Sequence, residues 1–135
     1  MDRFVKMARR THLMKSDKLV FYTMGDFVFE GKKVLLRVDI NSPIDPKTGE
    51  ILDDTRIKSH TLTIKELLNV GASVAVLAHQ GRPGDNDFTT LAAHSSLLSK
   101  YLKNDVKYVE DVFGPYARSS ISSLKQGEVL LLENV

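Results

Sequence analysis

The chain has 135 residues, of which 42% are hydrophobic and 27% are charged, and its formal net charge is +2. This length and hydrophobic fraction fit one globular domain with its own core, and the small net charge does not indicate a nucleic-acid-binding protein. The sequence contains no cysteine. A disulfide scaffold, a cysteine-ligated zinc site and a thiol nucleophile are therefore excluded, and a cytoplasmic protein is favoured.

Residues 1–24 are predicted to form a basic extension ahead of an α/β domain at residues 25–135. Residues 1–18 carry six basic and two acidic side chains, a net charge of +4 that leaves −2 for the remainder. The extension lacks the apolar run of a secretory signal or a membrane span. We expect a disordered terminus, no membrane contact and no nucleic-acid partner. A basic arm that binds nucleic acid or anionic lipid is the alternative.

Apolar strand patterns alternate with helical patterns from Lys33 onward. The predicted strands are KKVLLRVDI, SVAVLAH, VKYVED and EVLLLENV. The predicted helices are TRIKSHTLTIKELLNVG, TLAAHSSLLSKYL and PYARSSISSLKQ. Asp53 or Asp54 is expected to cap the first helix and Thr89 or Thr90 the second, and Pro115 suits the first turn of the third. This order predicts a three-layer, doubly wound (Rossmann-like), mostly parallel sheet with helices on both faces. Because the last predicted strand reaches Val135, we expect the chain to be a truncated domain.

Polar side chains cluster where the first two strands end. Arg37, Asp39 and Asn41 alternate along the end of the first strand, and His79 ends the second. Ligands bind at the carboxyl edge of open α/β sheets, so Asp39, Asn41 and His79 are predicted to converge there, with Arg82 on the following loop. The alternatives are an Arg37–Asp39 ion pair and a packed core histidine at position 79.

Arg56 lies in the first turn of a predicted helix, where the helix dipole disfavours a cation. An anion at that helix end would offset the cost, and two arginines with a histidine suit a carboxylate or phosphate ligand. The alternative is an ordinary surface position. No histidine–carboxylate spacing suggests a metal site, and neither a G-x-x-x-x-G-K-[ST] nor a G-x-G-x-x-G nucleotide motif occurs. His60 and His94 are expected to be surface or packing residues.

An ordered set of motifs resembles the amino-terminal half of phosphoglycerate kinase. The set consists of RVDINSP (residues 37–43), DDTRIK (53–58), HQGRP (79–83) and LLLENV (130–135). The resemblance covers residues 26–135, and Ala78 together with the PGDNDFTTL continuation is most similar to archaeal members of the family. It implies a glycolytic kinase that transfers the acyl phosphate of 1,3-bisphosphoglycerate to ADP, reversibly, between a glycerate-binding lobe and a lobe that binds Mg-ATP or Mg-ADP.

The resemblance also implies roles for individual residues. Asp39 and Asn41 would orient the glycerate, His79 and Arg82 would receive its 3-phosphate, and Arg56 would be the catalytic cation. Backbone groups of three further residues, Ile40, Gln80 and Gly81, would line the same site.

The family has an arginine after the LLEN motif, and this chain stops before it. The carboxyl-terminal nucleotide-binding domain is also absent, so we expect the chain to bind no cofactor and to be inactive alone, with weakened affinity for 3-phosphoglycerate. Two other functions stay open. One is a non-catalytic anion-binding α/β module that uses the same crevice, and the other is a nucleic-acid binder that uses the basic extension.

Overall fold

A computed structural model of the chain describes residues 21–135, so residues 1–20 of the predicted extension lie outside the described residues. The described part contains a short 3-10 turn (Met24–Asp26), four strands and three helices in alternation. In chain order these are β1 (Lys33–Arg37), α1 (Thr55–Asn69), β2 (Ser73–Leu77), α2 (Ala92–Leu102), β3 (Val106–Val109), α3 (Pro115–Ser122) and β4 (Val129–Leu132). The alternation predicted from the sequence is confirmed, although each strand is shorter than its apolar pattern.

The four strands form one parallel sheet in the order β1-β2-β4-β3. β1 and β2 are neighbours, with Arg37 opposite Leu77 at their carboxyl ends. β4, the last strand in the chain, lies between β2 and β3. The carboxyl ends of β1, β2 and β4 therefore meet at one edge of the sheet.

Helices pack on both faces of the sheet, which confirms the doubly wound arrangement. On the first face, side chains of the sheet such as Val74 and Leu131 pack with α1 and α2 residues that include Ile57, Ile64 and Leu98. On the second face, a smaller cluster joins sheet residues to α3 and the turn after it: Ala75, Val109, Ala117, Leu124, Leu130 and Leu132. The main core is therefore the layer between the sheet and the helices α1 and α2.

The helix caps differ in part from the sequence prediction. At α1, Asp54 occupies the cap position, but the side chain of Asp53 accepts the hydrogen bond from Thr55 N at 2.8 Å. Hydrogen bonding with the Thr55 side chain, and then with its backbone N–H, lowers the pKa of the Asp53 carboxyl. Asp54 thus occupies the cap position, whereas Asp53 accepts the hydrogen bond at the start of the helix.

The prediction that Thr89 or Thr90 caps α2 is wrong. The cap residue is Leu91, whose N–H donates to Glu133 Oε1 at 3.1 Å. Thr89 Oγ1 instead donates to Thr90 O at 2.6 Å. A carboxylate from a distant part of the chain accepts from the N–H of the cap residue, as a glutamate at the third helical position does in a capping box, because the end of β4 lies beside the start of α2.

α3 begins at Pro115, as predicted. The carboxylate of Asp111 accepts hydrogen bonds from Gly114 N at 3.1 Å and Ala117 N at 2.8 Å. The bond from Ala117 is the main reason that the pKa of Asp111 is lowered. A side chain three residues before the cap position therefore holds the start of this helix.

His94, in the first turn of α2, is fully buried. Burial lowers its pKa to about 4, because an imidazolium would lose its hydration in the core, and the negative charge of Glu133 offsets only part of this effect. The imidazole is therefore neutral at pH 7.

This burial predicts an acid-sensitive stability. Between the unfolded pKa near 6.5 and the folded value of about 4, the unfolded chain binds a proton that the folded chain does not bind, so stability falls as the pH falls. Relative to His94→Gln, the chain should lose at most about 3 kcal/mol of unfolding free energy between pH 7 and pH 4. Urea unfolding across this range measures the difference. Carboxylates titrate in both the unsubstituted chain and His94→Gln, so the comparison isolates His94. If the unfolding free energy changes equally with pH in the two proteins, the prediction is contradicted.

Candidate functional site

The chain segments that follow β1 and β2 continue the alternation of those strands beyond their last paired residues. Val38 N donates to Leu77 O at 3.0 Å, which extends the ladder by one hydrogen bond. Val38 and Ile40 are buried, whereas Asp39 is exposed and Asn41 is half-buried. After β2, Ala78 and Gln80 are buried, whereas His79 and Gly81 are half-buried. The alternation therefore directs Asp39 and His79 to the same side of the edge.

Arg56 and Asp39 form an ion pair across this edge. Arg56 Nη1 lies 3.1 Å from both carboxylate oxygens of Asp39, and the two side chains are 57% and 61% exposed. A pair this exposed contributes at most about 1 kcal/mol to stability, so its main effect is to orient the guanidinium. Asp39 is also the anion that offsets the unfavourable position of Arg56 in the first turn of α1.

The alternative that Arg37 pairs with Asp39 is wrong. Within residues 21–135 the only ion pair within 4 Å joins Arg56 to Asp39. Arg37 is exposed at the end of β1. Asp39 reaches α1 rather than its own strand because the connection after β1 returns to start α1 beside this edge.

Asn41 connects the two loops at the edge. Its Oδ1 accepts a hydrogen bond from Gly81 N at 2.9 Å, and its own N–H donates to Asp39 Oδ1 at 3.3 Å. Since the Oδ1 is used, the NH₂ group is the part of the carboxamide left to donate to a ligand. Asp39, Asn41, Arg56 and Gly81 are therefore linked by direct contacts.

Asn41 and Arg56 line an open cleft of about 540 Å³. The other lining residues are Ser42, Pro43, Asp53, Thr55 and Asp87. Two of these are carboxylates, so the cationic character of the cleft comes from Arg56. An anion would have to bind on the side of the cleft formed by Asn41 and Arg56.

His79 and Arg82 are not among the residues that line this cleft. Extending the register of β1 with β2 by two residues sets His79 beside Asp39. Arg82 is exposed on the loop and forms no ion pair with another described residue. The structure thus brings Asp39, Asn41 and Arg56 into contact, with His79 adjacent and Arg82 farther along the loop.

Backbone groups of the three other candidate residues already have internal partners. Ile40 O accepts from Ser42 Oγ at 2.9 Å, and Gly81 N donates to Asn41. Gln80 N donates to Asn134 Oδ1 at 2.9 Å, and Gln80 O accepts from Asn134 Nδ2 at 2.7 Å. A ligand would have to compete with these hydrogen bonds.

Gly81 permits a close approach within its own loop. Its φ is +63°, and an added Cβ would lie 2.7 Å from the backbone of Asp87 and Phe88. A side chain does not fit there, which is the reason for glycine at this position. The loop backbone thus folds back on itself at Gly81.

Sequence reasoning missed the polar groups that hold the edge together. Asn134 Nδ2 donates to Thr89 O at 2.8 Å as well as to Gln80 O, so one side chain fixes both ends of the loop after β2. Glu133 accepts from Leu91 N and from the hydroxyl of Tyr108. Burial, and then the contact with Glu133, raise the pKa of Tyr108. The sequence feature that could have identified these groups is the polar Glu-Asn pair directly after the apolar run of β4.

Two kinds of feature are absent from residues 21–135. In this range no group of three histidine, cysteine, aspartate or glutamate side chains is arranged to hold a metal ion. No helix in it combines the length and the apolar character that crossing a membrane requires.

Comparison with known proteins identifies the family. The family model described as phosphoglycerate kinase matches residues 24–135. The phosphoglycerate kinase of Methanothermus fervidus is 58% identical over 115 residues, covering 85% of this chain and 28% of the relative. That of Sulfurisphaera tokodaii is 59% identical over 123 residues, covering 91% and 30%. The chain thus spans less than a third of these archaeal relatives.

The fold comparison agrees with the sequence comparison. A crystal structure of phosphoglycerate kinase from Pyrococcus horikoshii aligns with a TM-score of 0.81 and 46% identity, covering 84% of this chain and 28% of that one. The structure of the kinase from Coxiella burnetii aligns with a TM-score of 0.69 and 31% identity, covering 85% and 28%. The resemblance read from the ordered motifs is confirmed, and the chain belongs to the phosphoglycerate kinase family.

Proposed function

We propose that the chain supplies the glycerate-binding part of an archaeal-type phosphoglycerate kinase of glycolysis that acts in the cytoplasm. The enzyme would interconvert 3-phosphoglycerate plus ATP with 1,3-bisphosphoglycerate plus ADP. The observation that carries this proposal is the Arg56 guanidinium at the cleft, oriented by Asp39 and next to Asn41. The nucleotide would bind to a part of the enzyme beyond these residues.

The proposed substrate contacts follow from the donors and acceptors at the cleft. The ion pair occupies Nη1 of Arg56, so Nη2 and Nε are the donors for the carboxyl end of the glycerate. Asn41 donates to the same end, and Asp39 accepts from the substrate hydroxyl. His79 and Arg82 bind the 3-phosphate from the neighbouring loop. An acidic substrate is well matched to this arrangement because its charge is met mainly by guanidinium groups.

In the proposed reaction a carboxylate oxygen of 3-phosphoglycerate attacks the γ-phosphorus of ATP. The bond from the γ-phosphorus to the bridging oxygen breaks, ADP leaves, and no proton has to move. Charge spreads over the equatorial oxygens of the transferred group, so catalysis depends on positioning and on cations. Arg56 supplies such a cation from this chain, and Mg²⁺ bound with the nucleotide would supply further charge neutralisation.

A binding measurement tests the substrate site. Arg56→Ala should weaken the affinity of the chain for 3-phosphoglycerate by roughly 10- to 100-fold, because a charge-assisted hydrogen bond contributes about 1.5–3 kcal/mol. Isothermal titration calorimetry measures the dissociation constant.

Lys58→Ala is the matched control for that titration. Lys58 has the same charge and lies on the same helix, but it stands near the ring of Tyr101 and does not line the cleft. Equal losses in the two variants would contradict a specific role for Arg56. No measurable binding by the unsubstituted chain would contradict the proposed site.

Turnover tests the catalytic role of Arg56. Residues 24–135 can replace the corresponding segment of the Sulfurisphaera tokodaii enzyme, with which the chain shares 59% identity. In that chimera, Arg56→Ala should lower kcat on the order of 10³-fold, as expected for a transition-state arginine. A coupled assay of 1,3-bisphosphoglycerate formation measures the rate. An active chimera whose rate is unchanged by Arg56→Ala would remove Arg56 from catalysis. Binding of 3-phosphoglycerate by an inactive chimera would favour a non-catalytic anion-binding module.

A further inference from the structure

The side chain of Gln80 is fully buried and hydrogen-bonds to three separate segments of the chain. Its Oε1 accepts from Ser42 N at 2.8 Å, and its Nε2 donates to Ser42 O at 2.9 Å. The same Nε2 donates to Asp87 O at 3.2 Å, and Oε1 lies 2.9 Å from His94 Nε2. Ser42 and Asp87 both line the cleft, so the Gln80 carboxamide hydrogen-bonds to the backbone of two residues that line it.

The partners of this carboxamide fix its orientation. A backbone N–H can only donate, so the atom that faces Ser42 N is the oxygen of Gln80. The two backbone carbonyls can only accept, so the atom that faces Ser42 and Asp87 oxygens is the nitrogen. All three contacts require the same orientation of the amide.

The orientation of Gln80 in turn fixes the state of His94. Its Nε2 faces an oxygen that only accepts, so Nε2 carries the proton of the neutral imidazole. Nδ1 is buried and has no hydrogen-bond partner among the described residues. A second proton at Nδ1 would therefore be a buried donor without an acceptor, and the neutral Nε2–H form is favoured.

The contacts at Ser42 determine where Asn41 lies. Both backbone polar groups of Ser42 are held by Gln80, and the preceding residue, Asn41, accepts from Gly81 N. Gly81 directly follows Gln80 in the sequence. The carboxamide of Asn41 is thereby held at the cleft from two sides, by the Gln80 side chain and by the backbone that follows Gln80.

We infer that Gln80 is a positioning residue for the proposed glycerate site, and that the Nε2–H of His94 keeps its carboxamide in the required orientation. This inference rests on the proposed function, since it concerns the presentation of Asn41 to 3-phosphoglycerate. Gln80 acts through Asn41, because its side chain is buried and has no access to a ligand. The role assigned here belongs to the side chain and is separate from any backbone contact of Gln80.

The state of His94 can be tested without any substitution. Nitrogen-15 NMR of the uniformly labelled 135-residue chain at pH 7 distinguishes the two neutral tautomers by their two-bond couplings to the ring protons. The expected spectrum is that of the Nε2–H tautomer for His94. An Nδ1–H tautomer would overturn the inference, because its unprotonated Nε2 would face the oxygen of Gln80, which can only accept.

Substitution of Gln80 tests the positioning role. Gln80→Met has a side chain of similar length and makes none of the four contacts. We expect the Gly81 amide signal to move in the direction of a lost hydrogen bond, and the affinity for 3-phosphoglycerate in calorimetry to fall at least tenfold.

Ile64→Ala is the control for general destabilisation. Ile64 is a buried core residue farther along α1 and does not line the cleft. It should lower the unfolding midpoint while leaving the Gly81 signal and the affinity close to those of the unsubstituted chain. If Gln80→Met lowers only the unfolding midpoint, in the manner of Ile64→Ala, Gln80 has no positioning role.

A second variant covers the case in which Gln80→Met does not fold. Gln80→Glu keeps the acceptor for Ser42 N and His94, and as a carboxylate it cannot donate to the carbonyls of Ser42 and Asp87. The same shift at Gly81 is expected, and an unchanged Gly81 signal would count against the inference. If the unsubstituted chain shows no affinity for 3-phosphoglycerate, the proposed function fails, whereas the tautomer and the Gly81 signal still decide the role of Gln80.

Discussion

The parallel pairing of β1 with β2 is the interaction on which the candidate site depends. The register that sets Arg37 opposite Leu77, and the next hydrogen bond from Val38 to Leu77, bring two polar chain segments out of the sheet side by side. Alternation along each segment then sorts the side chains into a buried set and an accessible set. Ser42 and Gln80 belong to the first set, and Asp39 and His79 to the second. A slip of one residue would exchange the two sets.

The exposed Arg56–Asp39 ion pair and the buried hydrogen bonds of Gln80 contribute to the candidate site in different ways. The Arg56–Asp39 pair is more than half exposed, so water and salt weaken it and its effect on stability is small. The bonds of Gln80 are buried, and removing them would leave backbone groups of Ser42 without partners in the core. The buried contacts therefore make the edge rigid, while the exposed pair stays available to a ligand. An anion that approaches Arg56 therefore meets a guanidinium that Asp39 has already oriented.

The fold and part of the site could be predicted from the sequence because they depend on local patterns. Apolar runs and helical periodicity gave the order of strands and helices, and the neighbouring places of β1 and β2 followed from a single connection between them. The same reasoning predicted that Asp39, Asn41 and His79 lie at one edge. The cap of α2 could not be predicted in this way, because Glu133 reaches Leu91 from 42 positions away in the sequence.

Sequence patterns also could not predict which partners the buried side chains contact. Gln80 was predicted to contribute its backbone, yet its side chain holds Ser42, and its N–H and C=O are both paired with Asn134. His94 was expected to be a surface or packing residue, and only the tertiary packing shows that it is buried against an amide oxygen. Periodicity predicts which face of an element a residue occupies, but not which atom of a distant segment it will meet.

The bonds from Asn134 to Gln80 and Thr89 have a consequence for the order in which the edge assembles. Asn134 follows Gln80 by 54 positions in the sequence, and it reaches the loop only after β4 has entered the sheet between β2 and β3. Contacts between such distant positions form late, since the intervening chain must first lose its freedom. During synthesis, α1, β1 and β2 would therefore be able to form before β4 leaves the ribosome. The loop after β2, which faces the ligand, would at that stage still lack the contacts that fix its shape.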